Sequence, residues 1–181
     1  MTLEQLQDAI PAYAKDLKLN LTSVFNQSEL TPQQSWGTAV ATAHAAGNKE
    51  VYDAILLAAQ SHLDAATLDG AKAAAAIMGM NNIYYRFQHL AVNEKYSTIP
   101  ARLRMNVIRT HGVDPINFEL WCTAVSAVHG CGKCIIAHEK TLKEKGVSEE
   151  TIAASIRIAA VLHAIARLFD VEPAVKSAAA V

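Results

Sequence analysis

The sequence predicts an all-α protein. Apolar residues step by three and four along nearly the whole chain, helix start and stop residues recur between the stepped segments, and no segment shows the alternation of a strand. Near the start, Leu3, Leu6, Ile10, Tyr13 and Leu17 form one such series, and Pro11 within it must kink or split the helix. Thr31-Pro32 supplies a capping residue and a proline at the first helical position, with Gly47 as the stop. Further helices are expected over about 49–62 and 65–88, the second carrying Gly70 and Gly79 as weak points. The stretch from Tyr96 to Pro115 is the least regular, punctuated by Pro100, Gly112 and Pro115, and reads as a connector between halves. Asp114-Pro115 repeats the cap-plus-proline signal and opens a helix through Phe118, Leu120, Trp121 and Val125, which Gly130 ends. The next helix begins about Cys131 and closes with Lys143, Lys145 and Gly146; Ser148 caps the final one, with Glu149 and Glu150 in its first turn.

Composition narrows the function classes. Of 181 residues, 51% are hydrophobic and 18% charged, enough to fill a core as a single domain over 1–181. The net charge is -1, with both signs dispersed, so neither a nucleic-acid backbone nor an anionic membrane is expected as a partner. Met1-Thr2-Leu3-Glu4-Gln5 lacks the basic and apolar regions of a secretory signal, and the alanine-rich stretches fall short of a membrane span or carry Lys72, His163 and Arg167. A cytoplasmic protein is the expectation. Three cysteines are too few for a disulfide scaffold, and the pair spaced C-x-x-C favours redox or metal chemistry. Cys122 reads as a small buried apolar residue.

Residues Trp36 to His44 align without gaps to Trp121 to His129, 85 residues on, with Trp, Thr, Ala, Val and His recurring in register. Duplication of a helical unit accounts for this, with one copy over about 31–80 and a second over about 115–166. At that offset Glu119, Cys131, Cys134 and His138 face Gln34, Ala46, Lys49 and Asp53, so the reactive groups belong to the second copy alone. His44 and His129 occur in both, which favours a packing or helix-end role.

Glu119, Cys131, Cys134 and His138 form the pattern E-x11-C-x2-C-x3-H. On a helix, positions 131, 134 and 138 share one stripe. Cys131 stands at the helix start, where unpaired N–H groups and the dipole stabilise a thiolate, a position that favours it as the reactive sulfur. His138 can take a thiol proton from Cys134, and a carboxylate such as Glu119 can fix its tautomer, while Lys133 adds positive charge. A dithiol this close can resolve a sulfenic acid as a disulfide. The same residues resemble half of a zinc site, for which one helix offers three of the four ligands needed, so a zinc-stabilised interaction module stays an alternative.

At these residues the chain resembles the AhpD family of alkyl hydroperoxidases. The resemblance extends through Tyr13-Ala14-Lys15-Asp16, Met78-Gly79-Met80-Asn81-Asn82, Leu103-Arg104-Met105-Asn106, Asn117-Phe118-Glu119-Leu120-Trp121 and Ala137-His138-Glu139. It implies an all-α AhpD-like fold of two duplicated helical units, usually a homotrimer, with no bound metal or cofactor. It also implies reduction of organic hydroperoxides and regeneration of an AhpC-type peroxiredoxin, with electrons from the lipoyl group of a 2-oxo-acid dehydrogenase component. Carried over, Cys134 is the peroxide-attacking thiol, Cys131 its resolving partner and proton donor, and His138 with Glu119 the proton relay. The assignment differs from the helix-start reading, and the proximity of His138 to Cys134 favours it. Two positions depart from the pattern: Lys133 stands where family members carry histidine, and His129 where they do not. The wider superfamily includes carboxymuconolactone decarboxylases, lyases on the same scaffold, and the cysteine pair counts against that alternative.

Overall fold

The computed structural model describes residues 1–172 and contains ten α-helices and no strand among them. Pro11 splits the first series: α1 (Leu3–Asp8) ends before it, and a 3-10 turn (Ala12–Ala14) leads into α2 (Lys15–Ser23). α3 (Pro32–Ala46) is closed at its start by a capping box between Thr31 and Gln34, and at its end by left-handed Gly47. Asn48 caps α4 (Lys49–Ala59) and Asp64 caps α5 (Ala65–Leu90). The connector holds two single turns, α6 (Lys95–Thr98) and α7 (Val107–Thr110). Asp114 caps α8 (Pro115–Val128), Cys131 caps α9 (Gly132–Glu144) and Ser148 caps α10 (Glu149–Val171).

α3 lies at the centre, packed against α5, α8 and α10. Trp121 is fully buried there, and the two glycines beneath it explain how the helices approach so closely. A Cβ on Gly37 would lie only 2.3 Å from atoms of the indole ring, and one on Gly70 would collide with Val113. α5 runs unbroken through Gly70 and Gly79, the two weak points of the sequence, and at Gly70 close packing on Val113 and Trp121 offsets the helical cost of glycine. By length and composition α10 is apolar enough to cross a membrane. In this fold its apolar stripe through Ile158, Leu162 and Ile165 is buried, and the helix packs on α3 and α8.

The helix ends of the two halves recur in their own register. Thr31, Pro32, Gly47 and Asn48 have counterparts at Asp114, Pro115, Gly130 and Cys131, each 83 residues on. The side-chain likeness runs at 85. Two residues turn a helix position by about 200°, and the tryptophans sit differently in consequence. Trp36 is half-buried between Phe25 and His62, whereas Trp121 is enclosed against Gly37. In the helix-end register Cys131 and Cys134 stand opposite Asn48 and Val51, not Ala46 and Lys49, because caps and the left-handed glycine set the backbone register.

Candidate active site

The turn from α8 to α9 sets the site. Gly130 takes φ 66, a left-handed conformation that costs a glycine little, and lets the chain reverse directly into the cap of α9. Cys131 occupies that cap: its Sγ accepts from the backbone N–H of Cys134 at 3.3 Å. The two cysteines, with Cα atoms 5.3 Å apart, are joined as a disulfide, so the structure represents the oxidised form.

A buried polar network holds this turn. Ser126 donates to Asn82 Oδ1 at 3.0 Å, Asn82 Nδ2 lies 3.1 Å from His129 Nδ1, and Arg86 donates to the His129 carbonyl. With the Asn82 amide donating, Nδ1 is an acceptor and the ring is neutral. Burial pushes the His129 pKa below its ordinary value; a backbone hydrogen bond at Ala45 opposes this, and the charges of Arg86 and His163 reinforce it. His129 thus braces the α8–α9 turn and does not line the cavity described next.

Glu119 and His138 meet across the α8–α9 contact. Glu119 Oε2 lies 2.7 Å from His138 Nδ1, with side chains only 17% and 15% exposed. An ionised Glu119 accepting from Nδ1–H leaves Nε2 as the free ring nitrogen. One turn back on α9, Cys134 faces a cavity of about 240 Å³. α5 contributes Met78, Asn81 and Tyr85 to its wall, the connector contributes Met105 and Ile108, and α9 contributes Lys133, Cys134, Ala137 and His138. Cys131 is fully enclosed and does not line it. The wall is mostly apolar, which suits a carbon chain, and Asn81, Lys133 and His138 are the polar side chains that line it with Cys134.

Lys133 Nζ donates to Gln88 Oε1 at 3.1 Å and sits 5.6 Å from the centre of the Tyr85 ring. It thereby closes one side of the cavity against α5, and also borders a neighbouring pocket with Gln88, His89 and Glu94. Cys122 lies apart. Burial, with the charge of Glu119 adding to it, holds its thiol well above the ordinary value, which makes it unreactive. Among the described residues no three His, Cys, Asp or Glu side chains converge on a point a metal could occupy.

The carboxymuconolactone decarboxylase family model matches residues 95–177, which include α8, α9 and all four candidate residues. The chain is 59% identical to an alkyl hydroperoxide reductase AhpD of Solibacter usitatus over 172 residues, covering 95% of this chain and 97% of that protein. It is 58% identical to the protein of the same name from Koribacter versatilis over 173 residues, covering 95% and 89%. With that of Rhodospirillum centenum it shares 56% over 174 residues, covering 96% and 94%. The chain belongs to the AhpD family. The all-α expectation holds with it, and the cavity shows what the motif left out of an AhpD-family site. Asn81, Tyr85, Met105 and Ile108 went unassigned in the sequence, although Met78, Asn81 and Tyr85 follow the three-four spacing of one helix face.

Proposed function

We propose that this chain reduces alkyl hydroperoxides to alcohols through a Cys134 sulfenic acid that Cys131 resolves. One observation carries the reading: Cys134 faces the apolar cavity beside His138, while Cys131 is enclosed behind it. A peroxide in the cavity meets Cys134 first. This geometry favours the second cysteine as nucleophile over the helix-start reading.

In this mechanism His138 takes the proton of the Cys134 thiol, and Glu119 orients the ring and stabilises the charge it gains. The thiolate attacks the terminal peroxide oxygen: an S–O bond forms, the O–O bond breaks, and the alkoxide leaves as alcohol after receiving a proton from Cys131. The sulfur loses two electrons and the peroxide gains them. The Cys131 sulfur then attacks the sulfenic acid, an S–S bond forms, and the displaced hydroxide leaves as water after taking a proton. The net change is two thiols and one hydroperoxide to one disulfide, one alcohol and one water.

Reduction of that disulfide needs a dithiol donor, for which we propose the dihydrolipoyl group of a 2-oxo-acid dehydrogenase component. An AhpC-type peroxiredoxin is the proposed acceptor, a homotrimer the proposed assembly and the cytoplasm the proposed location. The family membership supports these assignments. The test is peroxide-dependent oxidation of dihydrolipoamide, with and without an AhpC-type protein. Wild type should turn over and Cys134→Ser should not; activity of Cys134→Ser near wild type would overturn the reading.

A further inference from the structure

Adjacent asparagines on α5 are treated in opposite ways by the fold. Asn82 is fully buried and both ends of its carboxamide are partnered, by Ser126 and His129. Asn81 is only 4% exposed, yet its Oδ1 is buried with no hydrogen-bond partner among the described residues. A carboxamide oxygen buried without a partner costs stability and calls for an explanation. Its place supplies one. Asn81 lines the same cavity as Cys134 and His138, between Met78 and Tyr85 on one face of α5. The terminal torsion of asparagine is soft, so oxygen and amide can turn toward a ligand.

We propose that Asn81 binds the O–O–H group of the substrate and sets it against Cys134. A carboxamide presents a donor and an acceptor side by side, matching a hydroperoxide. Oδ1 accepts from the terminal O–H, and Nδ2–H donates to the inner oxygen. The terminal oxygen is the one the Cys134 sulfur attacks, and the inner oxygen becomes the alkoxide as the O–O bond breaks. The amide donor therefore aims at the atom on which charge develops, where preorganised hydrogen bonds contribute most to rate. The carboxamide has no partner in the fold to give up, and the apolar wall around it takes the alkyl group. The proposal rests on the peroxidase reading, and its test separates the two.

Reduced wild type, Asn81→Leu and Asn81→Ala are mixed in turn with tert-butyl hydroperoxide and with a neutral aromatic disulfide, and remaining thiols are counted over time. The disulfide reagent reports thiol reactivity and needs no O–O–H recognition. Both variants should be oxidised by the hydroperoxide roughly 100-fold more slowly than wild type, with unchanged reactivity toward the disulfide. Asn81→Leu should also melt at the same or a higher temperature, since it removes an orphaned polar group. A purely structural asparagine would lower both the melting temperature and both reactivities. Peroxide oxidation at the wild-type rate, or equal slowing with both reagents, overturns the role of Asn81 while leaving the peroxidase reading intact. Wild type that reacts with the disulfide and not with the hydroperoxide overturns both.

Discussion

The pairs α3–α4 and α8–α9 share a backbone device and differ in what occupies it. In each, a proline-started helix ends at a left-handed glycine, and the next residue caps the second helix by accepting from the N–H three residues on. Asn48 Oδ1 accepts from Val51 at 3.1 Å, and Cys131 Sγ accepts from Cys134 at 3.3 Å. The turn is thus generic. The surroundings are what differ: Lys49 and Asp53 form an ion pair with side chains 84% and 47% exposed, whereas Glu119 and His138 pair at 17% and 15%. α5 and the connector cover α9 and make a cavity over Cys134. We propose that the chemistry follows from the cysteine pair at the start of α9 and from the apolar cavity over Cys134. We propose that the two pairs descend from one duplicated unit, with the helix ends, not the tryptophans, marking the correspondence.

The largest effects should come from the residues that only the second pair carries. Cys131→Ser should retain one round of peroxide reduction and lose turnover, read as a trapped sulfenic acid without intramolecular disulfide. Replacing His138 by Ala, or Glu119 by Gln, should slow thiol oxidation by roughly 10²–10⁴-fold, with Glu119→Gln the milder, as it keeps a hydrogen-bond acceptor for Nδ1. Stopped-flow oxidation of the reduced protein measures both. Conversely, Asn48→Cys with Val51→Cys should close a disulfide detectable by mass and give no peroxide-driven turnover. Turnover from that graft would show the cap geometry alone to be sufficient.

Smaller effects test the scaffold. Gly37→Ala drives a methyl group against the Trp121 ring and should destabilise the fold by about 1–3 kcal/mol in chemical denaturation. His129 and His111 both have pKa values lowered, chiefly by burial, from an ordinary 6.5. Below that value the unfolded chain binds protons that the folded chain refuses. Stability should be full above pH 6.5 and fall as pH drops toward the folded-state values. His129→Gln should flatten that part of the melting-temperature-against-pH profile. Smallest of all, Lys49→Ala should change stability by no more than about 0.5 kcal/mol, because exposed pairs one helical turn apart contribute little.

Local signals explain what was legible in the sequence. Caps, prolines and glycines act within a few residues, so Thr31-Pro32, Asp114-Pro115 and Ser148 marked their helices, and Pro11 its break. Cys131, Cys134 and His138 share one helix stripe and were readable as a set for the same reason. The helix over 65–88 was readable through Gly70 and Gly79, but the packing that offsets the cost of Gly70 was not, since it comes from Val113 and Trp121, far along the chain. The cavity was hidden for that reason too. Met105, Ile108 and Asn81 reach Cys134 only through helix packing, which no local spacing encodes.

The central claim, that Cys134 meets the peroxide and Cys131 waits behind it, is tested most directly in the two single-cysteine variants. Reduced Cys131→Ser and Cys134→Ser each receive one equivalent of tert-butyl hydroperoxide in the presence of a sulfenic-acid trap, and the adduct is located by peptide mass. A near-stoichiometric adduct should form on Cys134 in Cys131→Ser and none on Cys131 in Cys134→Ser. An adduct on Cys131 forming at a comparable rate, with Cys134 unmodified, would contradict that claim.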